Sequence, residues 1–540
     1  MILRFNDITR TKQFLGSLSK TILFIALVFC AFASHGQKRV QLERANKLKG
    51  AKSPDGEEFQ KLLGDVVLVQ NQTTIYCDSA YLFKKRNFVE AFGKVRITEG
   101  DSTTITGRKL EYDGETKIAK LRNNVVFTKL ATATLYTDYL DFDRVANMAY
   151  YINGGRLVDS INVLTSRKGY YNSTSNMASF KRNVHVKNPD YTMTSDSLQY
   201  NSRTKIIYFR TPTTVVSKDS STFVYNSGEY DTKSKQSDLN LGAGESQEYK
   251  IESKNFALDD LRKIYKMRDD VVMTHKEENL IIYGQAADYY RTRGLSKVYT
   301  RAYVAKITED NDTLFMTADT LVSIEHEDPA KKRLLAYHNV KIFKRDLQGV
   351  ADSVEYRPGD STIYMYNKPV LWSEGNQMTA DSISMLIKNN AIDKIFMKVN
   401  AFVISRDTLS NYNQIKGRKM TAEFKNSDIH RVLVQGNGES IYFALEEQKK
   451  DSVVQATVTM GMNKIICSNI TIRFKDGKVD NFSFYVKPEA KFIPPHEIVE
   501  EDKELKGFSW KEDQKPLREE VVHKVVERKK NAIPPQRKRL

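Results

Sequence analysis

The sequence predicts an all-β protein, an elongated array of about thirteen two-strand repeats, each bent at its middle into a V-shaped cross-section. Three observations carry this. A short phrase recurs, as MTSDSLQY at 193–200, MTADTLVS at 316–323 and MTADSISM at 378–385. Its small residue marks a column that steps 28 to 34 residues through most of the chain. Apolar residues alternate on either side of that column with the two-residue period of a strand, and the alternation slips by one residue at the column itself.

The chain opens with a leader. Arg4, Arg10, Lys12 and Lys20 precede the apolar run ILFIALVFCAFA (22–33), and SHG then offers small residues for cleavage after Gly36. Twelve helical residues span roughly 18 Å, short of a bilayer core of about 30 Å. Residues 1–36 therefore read as a cleaved secretion signal, with an uncleaved anchor as the alternative. Residues 37–59 read as a lead-in.

Repeats follow over 60–240 and 241–486. The small-residue column runs Cys77, Gly107, Thr137, Ser166, Ser195, Tyr225, Ser253, Gly284, Ala318, Ala351, Ala380, Gly417 and Cys467. Two positions before it stand apolar residues such as Ile75, Ile105 and Met316, and three and five positions after it stand pairs such as Leu110 with Tyr112. A strand that keeps its apolar side inward across such a slip contains a bulge or a bend. A second strand per repeat opens with Gly or Asn, as in GDVVLVQ at 64, GKVRITE at 93 and NNVVFTK at 123. Polar turns such as YDGETK (112–117) and YNSRTK (200–205) join the two. At two strand spacings per repeat, thirteen repeats extend on the order of 120 Å.

Aspartate follows the small residue at Asp78, Asp138, Asp196, Asp319, Asp352 and Asp381, but Arg108, Arg167 and Arg418 hold the same place elsewhere. A catalytic carboxylate does not recur six times and alternate with arginine. At a bend an Asp accepts hydrogen bonds from backbone groups that the ladder leaves unpaired, so the column reads as architecture. Cys77 and Cys467 fall in the first and last repeats, in the small-residue column, and read as packing. The eight histidines show no metal-ligand spacing, and no P-loop, EF-hand or G-x-S-x-G motif occurs. The sequence thus nominates no catalytic residue, metal or cofactor.

From Pro488 the chain turns charged and proline-containing, ending in HKVVERKKNAIPPQRKRL. Residues 487–540 read as a charged cap and tail, with 511–540 as helix or disordered tail. The formal charge of +17 points to anionic lipid or polysaccharide as a partner, and export argues against nucleic acid.

The alternation of a G-x-V strand with an A-D-x-L-x-Y strand behind a secretion signal resembles the OstA family, to which the periplasmic lipopolysaccharide bridge protein LptA belongs. The residues that carry the resemblance include GKVRITEGDSTTITGRKLEYDGETKIAKL (93–121), NVVFTKLATATLYTDYLDFD (124–143) and TLFMTADTLVS (313–323). It implies an open β-jellyroll that passes lipopolysaccharide by its acyl chains between the inner and outer membranes. It also implies partners in lipid A, in LptC-like and LptD-like jellyrolls met by end-to-end strand addition, and in head-to-tail self-association. The groove would be lined by Ile105, Leu110, Tyr112, Leu135, Leu140, Phe142, Met193, Leu198, Tyr200, Met316, Leu321, Met378 and Ile383. From the residues alone, the interior reads either as a dry core or as a lipid-accommodating trough. Three other classes compete. A parallel β-helix enzyme acting on polysaccharide would favour three-strand coils and one isolated acid cluster. A structural envelope protein would need only the dry core. An outer-membrane barrel would close with a strand near its C-terminus, where this chain has charge and proline.

Overall fold

A computed structural model describes residues 39–523, apart from residues 101–102, 130–132, 160, 219, 247, 278, 309–310, 390, 426–427, 451–452 and 476–477. Residues 1–38, which include the stretch expected to be a secretion signal, and residues 524–540 lie outside the described residues. The described chain is almost entirely strand, thirty-six strands in sequence, and every described pairing is antiparallel. It forms two compact units, Met1–Pro189 with Asp196–Arg203, and Asp190–Ser195 with Thr204–Leu540.

The first unit is a meander. Glu58–Gln70, Thr73–Phe83, Phe88–Glu99, Thr103–Asp113, Ile118–Lys129 and Ala133–Asp143 pair in chain order. Its turns are closed by side chains: Asp113 Oδ1 accepts from the backbone N–H of Glu115 at 2.9 Å and Thr116 at 3.1 Å, and Asp143 does the same for Val145 and Ala146. Each such turn then leaves through a left-handed residue, Lys117 or Asn147.

Every long strand is bent, and the structure corrects where the second strand of each repeat begins. The Gly and Asn residues do not open strands; they lie inside them. Opposite the single Asp78, the strand Glu58–Gln70 carries two residues, Gly64 and Asp65, both left-handed, with pairing resuming at Val66 opposite Cys77. Asn123 with Asn124, Asp269 with Asp270, His338 with Asn339 and Val399 with Asn400 make the same two-residue corner. Inward residues thus step by four across the corner on one strand, Leu62 to Val66, and by three on the next, Cys77 to Ala80. The alternation slips for this reason.

The aspartates of the column serve these corners. Asp138 Oδ1 accepts from the backbone N–H of Asn124 at 3.1 Å. Asp319, Asp352 and Asp381 accept from the side-chain amides of Asn339, Asn367 and Asn400 at 2.8, 3.0 and 3.1 Å. A Cβ on Gly93, at a φ of 76°, would sit 2.3 Å from the Asp78 carboxylate, so a larger residue there would have to displace that side chain.

The lead-in differs from expectation, since Gln41–Arg44 and Lys47–Lys52 form a bent edge strand on Glu58–Gln70. In the second unit the segment LNLGAGESQE (239–248) begins inside the strand Gln236–Glu245. The last bent strand is Lys478–Tyr485 with Glu489–Ile493, both paired to Val453–Lys475. The described part of the charged C-terminal segment extends through the expected cap to residue 523. Residues 494–523 run back along the sheet as a strap, with a single helical turn at Arg518–Val521.

Candidate functional site

The bend brings the inward side chains of both arms together. In the first unit Ile105, Leu110, Tyr112, Leu135, Leu140 and Phe142 join one buried cluster that also contains Leu62, Ile75, Leu82 and Ile97. Leu198 is buried in the same unit, and Tyr200 is half-buried, its phenol pushed above its ordinary value by desolvation. In the second unit Met193, Leu321 and Ile383 are buried, whereas Met316 and Met378 are half-buried. Met316 faces Val304 and Ile342 across the ladder, and Met378 faces Leu371 and Val403.

The two units treat this inner face differently. In the first, the mouth of the bend is latched by polar groups from both arms. Tyr112 donates its hydroxyl hydrogen to Gln70 Oε1, and Gln70 Nε2 donates to Gly114 O at 3.0 Å. Arg144 donates from Nε and Nη2 to Glu99 Oε1 at 3.0 and 2.9 Å, and from Nη1 to the Tyr112 hydroxyl oxygen at 3.1 Å. Burial raises the Tyr112 phenol above its usual range, with Arg144 opposing. Behind the latch lies a cavity of about 10 Å³ lined by Thr73, Ile75, Ile97, Ile105, Ala119 and Phe142 among others, room for one water at most.

In the second unit, Met316, Met378, Ile415 and Ile465 on the first arm are half-buried beside the buried Ile342, Leu371 and Ser440 of the same face, and in the last repeats the opposite face is buried as well. Directly opposed residues share a face, so Ile404, Gln414 and Ile441 stand together on the outer side. There Phe402, Ile404, Ile441, Phe443 and Met462 form a second core with Ile493 and Leu505, against which Ile498, Phe508 and Trp510 of the strap pack.

Two glutamines hold the strap as a neighbouring strand would. Gln414 donates to Lys503 O at 2.6 Å and accepts from Leu505 N at 2.8 Å; Gln377 donates to Ser509 O and accepts from Lys511 N, both at 2.7 Å. Lys464 pairs with Asp502 at 2.9 Å and Lys341 with Glu520 at 3.3 Å, while Arg518 lies over the Phe315 ring. Gln377 and Gln414 each stand three residues before the small-residue column, but so does Gln348, which donates to Lys344 O and Arg345 O of its own hairpin, so the spacing alone does not single out the strap's partners.

Among the described residues no group of three or more His, Cys, Asp or Glu side chains is placed to hold a metal ion, and no helix is long and apolar enough to cross a membrane.

The bent, all-antiparallel sheet with an apolar inner face has the form of a β-jellyroll. Residues 37–196 match the family model of OstA-like proteins, and residues 306–391 match that of the LptA/(LptD N-terminal domain) LPS transport proteins. No curated protein matches the chain. A solved structure, LptH, the LptA-homologous periplasmic component of the lipopolysaccharide transport device of Pseudomonas aeruginosa, is 17% identical over 25% of this chain and 79% of its own, with a TM-score of 0.14.

Proposed function

We propose that this chain is a non-enzymatic periplasmic protein of lipopolysaccharide transport, holding lipid A acyl chains against the inner face of its bent sheet and bridging the inner and outer membranes. The observation that carries this reading is a coincidence of two features. The stretch matching the model of LPS transport proteins, 306–391, also holds Met316 and Met378, half-buried on the inner face beside the buried Ile342 and Leu371. Exposing a fatty chain to water costs about 0.8 kcal/mol per methylene, so ten methylenes represent roughly 8 kcal/mol that a carrier must never release at once. A row of apolar side chains, one pair per repeat, keeps that energy nearly level along the path.

The ends of the array support docking with like-folded neighbours such as LptC-like and LptD-like jellyrolls. The last bent strand is paired on one side in the described residues and presents Val479, Tyr485, Val486 and Phe492 to solvent. An unpaired edge of this kind accepts a further strand. The first edge also pairs on one side but is rich in lysine and arginine, which blunts it against self-association. The sealed core of the first unit favours a structural role for that unit in the state described.

The test is photo-crosslinking in cells from Met316, Met378 and Ile415, with Leu110 and Leu140 as sealed counterparts. Glycolipid adducts at the first three are expected. No adduct at any inner position would overturn transport.

A further inference from the structure

The latch of the first unit has the composition of a recognition site as well as a seam. Arg144 is sunk to 12% side-chain exposure, yet Nε and Nη2 both converge on one oxygen of Glu99, whereas a guanidinium fork is best met by two oxygens side by side. Just behind it Thr73 Oγ1 is buried with no hydrogen-bond partner and lines the cavity, as do the Arg144 and Glu99 side chains. The remaining walls, Ile75, Ile97, Ile105 and Phe142, are those that methylenes would replace one another against. A seam needed only for stability would be served equally by apolar residues, because a buried ion pair about repays its own desolvation.

We propose that this latch is displaceable and that its opened form binds the phosphate group of an anionic amphiphile, an inference that rests on the interior lipid-binding reading above. The phosphate takes the place of Glu99 on the Arg144 fork with two of its oxygens, and the Thr73 hydroxyl donates to a third. Glu99 swings out with the end of its strand, Gln70 releases Tyr112 and Gly114, and the acyl chain enters between the isoleucines and Phe142. Glu99 is thus an internal competitor that keeps the mouth shut until an anion with a fatty tail arrives.

The experiment titrates the full exported chain, below micelle concentrations, with dodecyl phosphate, dodecyl maltoside and inorganic phosphate, reading heat of binding and melting temperature. The wild type is expected to favour dodecyl phosphate over the maltoside by about tenfold or more. Arg144→Ala should erase that preference, and Arg144→Lys, which keeps the charge without the fork, should weaken it. Glu99→Gln should melt lower alone yet bind dodecyl phosphate more tightly, a pair of opposite changes that a purely structural seam does not produce. Arg96→Ala, which removes a cation lying over the Tyr76 ring away from the latch, should match the wild type. A preference that survives Arg144→Ala, or is lost equally in Arg96→Ala, or is matched by inorganic phosphate, overturns the latch as the site. Equal binding of both dodecyl compounds also overturns the latch while leaving interior lipid binding intact. Binding of neither defeats the interior reading itself.

Discussion

Val399 occupies a left-handed corner that other strands fill with Gly64, Asn123, Asp269 or His338, and a β-branched residue is among the poorest choices there. Left-handed backbone costs an ordinary residue about 1–2 kcal/mol, and the side chain is 48% exposed, so little packing is forfeited by replacing it. Val399→Asn is expected to stabilise the protein by about 1 kcal/mol in urea unfolding. Tyr151 shows the opposite constraint. Its hydroxyl lies 2.6 Å from Ser166 Oγ, and a Cβ on Gly169 would fall 2.2 Å from its ring. Burial lifts this phenol from 10 to about 12. The unfolded chain loses the proton near pH 10 and the folded chain only near 12, so the stability present below pH 10 falls as pH climbs through that window. Tyr151→Phe should flatten the alkaline decline in melting temperature between pH 10 and 12. At this scale the inward columns were legible, since a half-buried strand writes its face into alternate residues. The latch was not. Its members, Gln70, Glu99 and Tyr112 on three strands and Arg144 in the turn after a fourth, are far apart in sequence, and only the bend of the sheet brings them together.

The strap was legible only as a charged cap passing into a tail, for a physical reason. The strap's apolar residues Ile498, Leu505, Phe508 and Trp510 are spaced by seven, three and two, so the segment keeps no single strand or helix period, and charged residues fill the gaps. Its structure is borrowed from the sheet, through side chains that stand in for a strand's backbone. Gln414→Ala would leave Lys503 O and Leu505 N without partners beneath the strap, at about 1–3 kcal/mol for each buried group. The variant should lower the melting temperature and open residues 494–523 to limited proteolysis, whereas Lys341→Ala, at a half-exposed ion pair, should change either by little. The strap also explains how the last repeats tolerate half-buried side chains on the inner face. A sheet needs one buried apolar face for its stability, and here the outer core under the strap supplies it. Loss of the strap would therefore be felt on the inner face, where Met378 and Ile415 would be expected to close inward.

Across the whole molecule, the repeat period was legible because a fixed unit must be restated each time the sheet advances by two strands. How tightly the interior closes was not, because the first-arm column stays apolar almost throughout, from Ile75 and Ile105 to Met316 and Met378, and an apolar pattern does not report how well each side chain is covered. Two forces can attract an anionic lipid to such a chain, and they separate in the laboratory. The formal charge of +17 acts through solvent and fades beyond roughly 10 Å in 0.1 M salt, so attraction to the surface weakens as salt rises. Burial of acyl chain against the inner face depends instead on methylene count, about 0.8 kcal/mol each, and salt does not screen it. If the interior holds the lipid, shortening a bound alkyl phosphate from dodecyl to decyl should weaken it by about tenfold, because two methylenes are worth about 1.6 kcal/mol. Raising sodium chloride from about 0.05 to 0.5 M should then change the dodecyl affinity much less than that. Titration calorimetry of the two alkyl phosphates at both salt concentrations measures each dependence. An affinity that collapses with salt and ignores chain length would place the lipid on the charged exterior, and the inner face would then be a core and nothing more.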